Sequence, residues 1–208
     1  MLNLKALGCA LLLSLTWLPY LAVAGVHTSP LTITQLTTQL ATYPVIQGEL
    51  LQKKLVAGLP MPLVSEGKFT LAQSYGLLWQ LETPFVQRYR INQQGVALWQ
   101  TDHWQLQTHQ GASQQQNRLL LAVLAGDYVQ LSNDFELSVS GTADQWQLLL
   151  IPKTVILKKI FSQIRIQGGE FVNQVRISEV TGDVTELNFN QQQVKDALQD
   201  AEQHAFTQ

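Results

Sequence analysis

A mainly β fold with a few helices, built on one antiparallel sheet of roughly ten strands, follows from three features of this 208-residue sequence. Apolar residues recur at every second position through most of the chain, the period of strands with one buried face. Gly, Pro or Gln-Gly breaks separate these short runs, as in an antiparallel meander. A few segments abandon alternation for helical spacing or for apolar residues almost all round.

The chain opens on a segment outside the sheet. Lys5 is the only charge before His27, and it is followed by an apolar run from Ala6 to Leu18, Pro19, and Ala22-Val23-Ala24 before Gly25. A positive start, an apolar run of that length and an A-x-A site mark residues 1–24 as a cleaved secretory signal. The run is too short and too soon interrupted to span a membrane. Residues 25–208 are then one exported domain. Cys9 follows Ala6-Leu7-Gly8, as at a lipoprotein acylation site, but its apolar stretch comes after it rather than before. Cys9 leaves with the signal, and the processed chain is expected to be soluble, without thiol or disulfide chemistry.

Leu31 to Ala41 carries Ile33, Leu36 and Leu40 at helical spacing after Ser29-Pro30. Past Tyr43-Pro44 the period becomes two. Phe69 and Leu71 share a strand face, as do Leu77, Trp79 and Leu81. Beyond Thr83-Pro84, Phe85, Tyr89 and Ile91 take one face and Arg88 and Arg90 the other; Trp104 and Leu106 continue the pattern. Gln115 to Ala125, with Leu119-Leu120-Leu121, Val123 and Leu124, is apolar almost all round and predicts a short helix ending at Gly126. Alternation resumes through Phe135-Leu137-Val139, Trp146 to Ile151, Ile164-Ile166, Phe171 to Ile177 and Leu187-Phe189. From Gln191 to Phe206, Val194, Leu198, Ala201 and Ala205 predict an amphipathic closing helix. A sheet of this size curls. Helices laid into its concave apolar face leave either a packed core or a cavity, and the sequence leaves both open.

Composition and motifs exclude several function classes. The chain has 13 basic and 15 acidic residues, a formal charge of −2 and no basic block, which argues against a nucleic-acid partner. It has as many glutamines (28) as charged residues, so its surface is polar without a strong field. His27, His103, His109 and His204 never pair at i, i+3 or i, i+4, so no local metal motif exists. No G-x-S-x-G is present, and Gly168-Gly169 and Gly182 read as turns. Asp102-His103 is the nearest approach to a catalytic pair. Adjacent strand residues point to opposite faces, which works against a relay, and the pair reads as a hairpin turn. No catalytic residue, metal or cofactor is expected. Trp79, Phe85, Tyr89, Trp99 and Trp104 read as sheet core, with the lining of an apolar pocket as the sharper alternative.

Several motifs together resemble one family. Ile46-Gln47-Gly48-Glu49-Leu50-Leu51-Gln52 resembles the G-x-F-x-Q opening strand of the periplasmic outer-membrane lipoprotein carrier (LolA) family, with Leu50 where Phe is usual. Pro62 to Phe69 resembles its next strand. Gly76-Leu77-Leu78-Trp79 with Thr83-Pro84 resembles its aromatic-W-x-x-x-x-P segment, and Gln94-Gly95-Val96-Ala97-Leu98-Trp99 its D-G-x-x-L-W hairpin. Glu179, Gly182-Asp183-Val184-Thr185 and Phe189 resemble its last strands.

The resemblance implies an incomplete, strongly curved barrel with a helical lid in its concave face, and the Leu119–Leu124 helix suits the lid. It implies a monomeric periplasmic carrier of lipoprotein or lipid acyl chains, loaded by an inner-membrane release complex or exporter and unloaded to an outer-membrane acceptor. On that reading Leu50, Phe69, Trp79, Phe85, Tyr89, Trp99, Trp104, Leu120 and Leu124 contact acyl chains. Gln73 stands about where the family's main carriers have an arginine that holds the lid, so lid control departs from their pattern. Burying acyl chains gains ~0.8 kcal/mol per methylene, on the order of 12 kcal/mol for sixteen carbons. The alternative is a filled-core envelope adaptor acting through protein–protein contacts.

Overall fold

The computed structural model describes residues 31–107 and 119–207. The expected signal segment with Cys9, and also His27, His109 and the first residues of the 115–125 helix, lie outside them. The described residues form an eleven-stranded antiparallel sheet. The strands are β1 (Val45–Leu55), β2 (Leu63–Ala72), β3 (Gly76–Thr83), β4 (Gln87–Asn92), β5 (Gly95–Gln100) and β6 (His103–Leu106), then β7 (Phe135–Thr142), β8 (Gln145–Pro152), β9 (Phe161–Gly168), β10 (Val172–Glu179) and β11 (Val184–Lys195). Their order is β6-β5-β4-β3-β2-β1-β11-β10-β9-β8-β7. Two meanders thus meet where the first strand pairs with the last. Among the described residues β6 and β7 are the edges and do not pair with each other, so the sheet stays an incomplete barrel.

Five short helices accompany the sheet among the described residues. α1 (Ile33–Leu40) precedes β1, α2 covers 119–124, and α3 (Tyr128–Asp134) leads into β7. α4 (Val155–Lys158) joins β8 to β9, and α5 (Asp200–Thr207) closes the chain. α1 begins at a capping box: Gln35 N–H donates to Thr32 Oγ1 at 3.2 Å, and Thr32 N–H donates to Gln35 Oε1 at 2.9 Å.

Alternation sorts the strands into two faces. Leu50, Phe69, Leu77, Trp79, Ile91, Leu148, Ile164, Ile177 and Phe189 point inward and are buried in one cluster with residues of α1, α2 and α3. A second, smaller cluster lies on the convex face, where Phe206 of α5 meets Val45, Ala72 and Leu78. Two glycines let the strands approach closely enough to curl. A Cβ on Gly48 would stand 2.8 Å from both the Asn190 carbonyl oxygen and the Phe69 ring. A Cβ on Gly67 would collide with the Gln80 backbone, where the β2–β3 register shifts between Glu66 and Gly67.

The closing helix is shorter than its periodicity predicts. β11 continues to Lys195, and Val194 pairs with Ile46 in the ladder past a register shift between Gln47 and Glu49. Backbone pairing with β1 overrides the helical spacing of the side chains there, and helix begins only at Asp200. α3 and α4 were not expected: seven and four residues are too short to display a helical period.

Candidate functional site

The concave face is the natural place for an apolar ligand, and its centre is aromatic. Phe189 of β11 receives Phe69 of β2 edge-on at 5.2 Å between ring centres and Trp79 of β3 at 6.0 Å. Leu50 lies opposite Phe189 across the β1–β11 ladder, and Tyr89 lies opposite Trp79 across β3–β4. Tyr89 keeps its hydroxyl at the rim, donating to Gln87 Oε1 at 2.9 Å; burial of its ring raises the phenol pKa.

Three helices lie in this face. Leu119, Leu120, Val123 and Leu124 of α2 are buried in the same cluster as the aromatic centre, as are Leu36 and Leu40 of α1 and Tyr128 and Leu131 of α3. The Tyr128 hydroxyl donates to the Val123 carbonyl at 3.4 Å, and burial pushes its pKa far up, so it stays a neutral donor. The α2 turn abuts the end of α1, where a Cβ on Gly126 would lie 3.3 Å from Leu40 Cβ. The Leu120 and Leu124 positions therefore join Leu50, Phe69, Trp79 and Tyr89 around one apolar interior. Tyr128, Leu131, Leu36 and Leu40 belong there too. Tyr128 and Leu131 lie on α3, which is too short to have shown its period in the sequence; Leu36 and Leu40 were visible as a helix face without a destination.

Three expected contact residues lie elsewhere. Trp99 and Trp104 pair across β5–β6 on the convex face, their rings 5.3 Å apart and nearly perpendicular. They border a cleft of about 290 Å³ under α5 with Leu78, Arg88 and Ala205. The register requires this, because Ile91 and Val96 oppose each other inward, which turns Ala97 and Trp99 outward. Phe85 sits in the β3–β4 turn and is 75% exposed, since the strand begins only at Gln87. Alternation counted through that turn misplaced it.

Beside the convex cleft, Arg90 ties α5 to the sheet. Its guanidinium donates to the Ala205 carbonyl at 3.2 Å, close to that of Phe206, and lies 5.0 Å over the Trp104 ring. Glu202 of α5 accepts from Gln47 Nε2 at 2.6 Å and from Thr70 Oγ1 at 2.8 Å. These contacts fasten α5 to the outside of the sheet.

Gln73 bonds to α1 rather than to α2. Its Nε2 donates to the Leu40 carbonyl at 3.2 Å, and its backbone N–H donates to the Pro44 carbonyl at 3.0 Å. It also borders a cleft of about 730 Å³ with Leu121, Ala122 and Ala125 of the α2 region. Deep in the concave face, the Thr185 hydroxyl is buried with no hydrogen-bond partner among the described residues. Asp102 and His103 do meet, Oδ1 to Nδ1 at 2.9 Å, because Asp102 lies in the β5–β6 turn, where strand alternation does not apply. Both side chains are exposed on the tip of that hairpin.

No curated protein matches the sequence. Similar solved structures include a LolA superfamily protein from Nitrosomonas europaea, 8% identical over 86% of this chain and 98% of that one, with a TM-score of 0.48. A putative outer membrane lipoprotein-sorting protein domain from Vibrio parahaemolyticus is 9% identical over 85% and 97%, with a TM-score of 0.49. MucB in the Pseudomonas aeruginosa MucA/MucB complex is 11% identical over 82% of this chain and 58% of that one, with a TM-score of 0.48. The family model of the outer membrane lipoprotein carrier protein LolA matches residues 42–206, from just before β1 to within α5. The chain belongs to the LolA family of lipoprotein carriers.

Proposed function

We propose that this protein is a non-catalytic periplasmic carrier, exported by a signal over residues 1–24, that exchanges its own helices for the acyl chains of a lipoprotein or lipid. Residues 25–208 act as one carrier domain and as a monomer. The carrying observation is that the apolar concave face is covered by short helices from the segment between the free edges β6 and β7, together with α1. A sheet closed on itself could not exchange its filling. A sheet filled by separately folded helices can.

The energies permit exchange. Burying four Leu or Val side chains of α2 is worth roughly 6–12 kcal/mol. A sixteen-carbon chain brings on the order of 12 kcal/mol. The two nearly balance, so cargo displaces the lid without becoming trapped, and release to a better acceptor needs no chemical step. An inner-membrane release complex or exporter supplies the cargo, and an outer-membrane acceptor removes it. Leu50, Phe69, Trp79 and Tyr89 form the wall against which the chains lie. Leu120 and Leu124 are the contacts they replace. The Thr185 hydroxyl is suited to donate to an ester carbonyl of the cargo.

A filled-core adaptor is the second reading, and the complete burial of Leu36 and Val123 in the interior favours it. Native mass spectrometry of the protein purified from its periplasm, with lipid extraction, separates the two. A discrete bound lipid or acylated peptide supports the carrier. A clean apo mass with no uptake of an added acyl probe sinks it and leaves the adaptor.

A further inference from the structure

The two ends of the barrel are unlike. At one end α1 is tied down: Gln39 Nε2 donates to the carbonyls of Ala143, at 3.1 Å, and Gly169, at 2.5 Å, in the β7–β8 and β9–β10 turns. The opposite end carries the β1–β2, β3–β4, β5–β6, β8–β9 and β10–β11 connections. Of the fourteen large apolar side chains exposed among the described residues, eleven lie at this second end. Leu59, Met61, Phe85, Val155, Ile156 and Val180 form its tips. Met61 is 75% exposed, and Val155 and Ile156 are 71% and 70% exposed. Three of the five connections are braced into one rim: Ala57 N–H donates to Asp183 Oδ1 at 2.9 Å, and Val180 N–H donates to the Ile160 carbonyl at 3.0 Å.

α4 shows the device most clearly. Leu157 turns inward and is buried, which leaves Val155 and Ile156 on the outer side of a single helical turn capped by Thr154. Lys153, Lys158 and Lys159 flank them, and residues 153–159 contain no acid, in a chain whose net charge is −2. Lys153 Nζ is held by the Ser132 carbonyl at 2.5 Å. On the neighbouring turn Glu179 and Asp183 face Lys54, at 3.9 Å each, so these acids oppose a cation of their own.

We propose that this end of the barrel is a membrane-docking surface that seats on anionic phospholipid. Apolar residues borne singly or in pairs on separate loop tips suit insertion among headgroups better than the continuous flat patch of a protein interface. Lysines beside those tips reach lipid phosphates while their stems stay with the apolar layer. Docking by this end goes beyond cargo binding, because none of these side chains belongs to the concave cluster. It presents the barrel end-on to the bilayer, with α1 facing away.

The test is co-sedimentation of the protein, as processed by the cell, with vesicles of phosphatidylethanolamine and phosphatidylglycerol, against vesicles of phosphatidylcholine. Binding to the anionic vesicles is expected, weakened by salt. Val155→Ser/Ile156→Ser is expected to reduce partitioning at least tenfold. Lys158→Gln/Lys159→Gln should remove most of the preference for anionic lipid. Leu106→Ser, on an exposed apolar residue near the other end, should bind as the parent does. Thermal melts of each variant verify folding. Equal sedimentation with both vesicle types, or a folded Val155→Ser/Ile156→Ser variant that binds like the parent, overturns the proposal. So does a concentration-dependent dimer dissolved by that double substitution in a protein that ignores vesicles, which would assign this end to a second copy of the chain.

Discussion

A reversible lock tests whether the concave helices must move for cargo to enter. Leu40, the last residue of α1, and Gly126, just after α2, are placed so that a Cβ on Gly126 would lie 3.3 Å from Leu40 Cβ. Bridged cysteines hold their Cβ atoms roughly 3.5–4.5 Å apart, so a small adjustment allows a disulfide. Cys9 is the only native cysteine, and a Cys9→Ser background leaves the engineered pair alone. Reduced, Leu40→Cys/Gly126→Cys should be less stable than the parent. Truncating a buried leucine costs about 2 kcal/mol or more. A side chain at Gly126, where φ is +70°, costs about 1–2 kcal/mol. Oxidised, the bridge closes a loop that restrains the unfolded chain by about 4–5 kcal/mol. The oxidised form should therefore melt above the reduced form by about 10–20 °C. The decisive assay is uptake of a fluorescent acyl probe by one sample before and after reduction. Oxidised protein is expected to take up probe at least tenfold more slowly, and reductant should restore the rate. Equal uptake, with mass spectrometry showing complete oxidation, refutes the requirement that this end of the lid opens.

Three further substitutions probe the parts of the argument separately. Thr185→Val removes a buried hydroxyl without a partner while keeping its shape, so chemical denaturation should show a gain of about 1 kcal/mol; a loss of that size would mean the hydroxyl is satisfied in solution. Gly48→Ala forces a methyl against the Phe69 ring and the Asn190 carbonyl, and should cost about 1–3 kcal/mol, with no cost counting against the close approach of β1, β2 and β11. Arg90→Met removes the donors that hold the Ala205 and Phe206 carbonyls; amide exchange over residues 200–207 should accelerate while that over 119–124 stays unchanged, and coupled acceleration of both would contradict the separation of the two faces.

How much of this was legible beforehand depended on whether a strand has one apolar face or two. Leu77, Trp79 and Leu81 alternate with residues of which only Leu78 is also buried and apolar, and their inward direction could be read directly. Val96-Ala97-Leu98-Trp99 is apolar on both faces, because α5 covers the convex side there; no period in that segment distinguishes inside from outside. Only the register, with Ile91 opposite Val96, decides that Trp99 faces α5's side. Gly48 was legible as a motif, while its reason, the Phe69 ring occupying the space of a Cβ, needed the fold. The end of β11 was hidden for a similar cause. Its last residues are held by pairing with β1, a partner more than 140 positions away, and nothing local in Gln191-Gln192-Gln193-Val194 records that.

The contrast between the two helical layers bears on which of them can act as a lid. α5 is fastened by directional groups: Arg90 on its terminal carbonyls, and Glu202 on Gln47 and Thr70. Hydrocarbon in the place of α5 would leave the buried Arg90 guanidinium without its carbonyl partners, a cost that hydrocarbon contact does not repay. α2 packs through Leu119, Leu120, Val123 and Leu124, whose attraction to the concave wall is non-directional. An acyl chain laid against Phe69, Trp79 and Phe189 satisfies that wall as fully as leucine does. Exchange is therefore favoured on the concave face and opposed on the convex one. Gln73 contributes little to this balance. A single neutral hydrogen bond to the Leu40 carbonyl, worth about 1 kcal/mol, adds little to the barrier that the apolar packing sets, so on the carrier reading proposed above α2 would be released by hydrocarbon contact rather than by a polar latch.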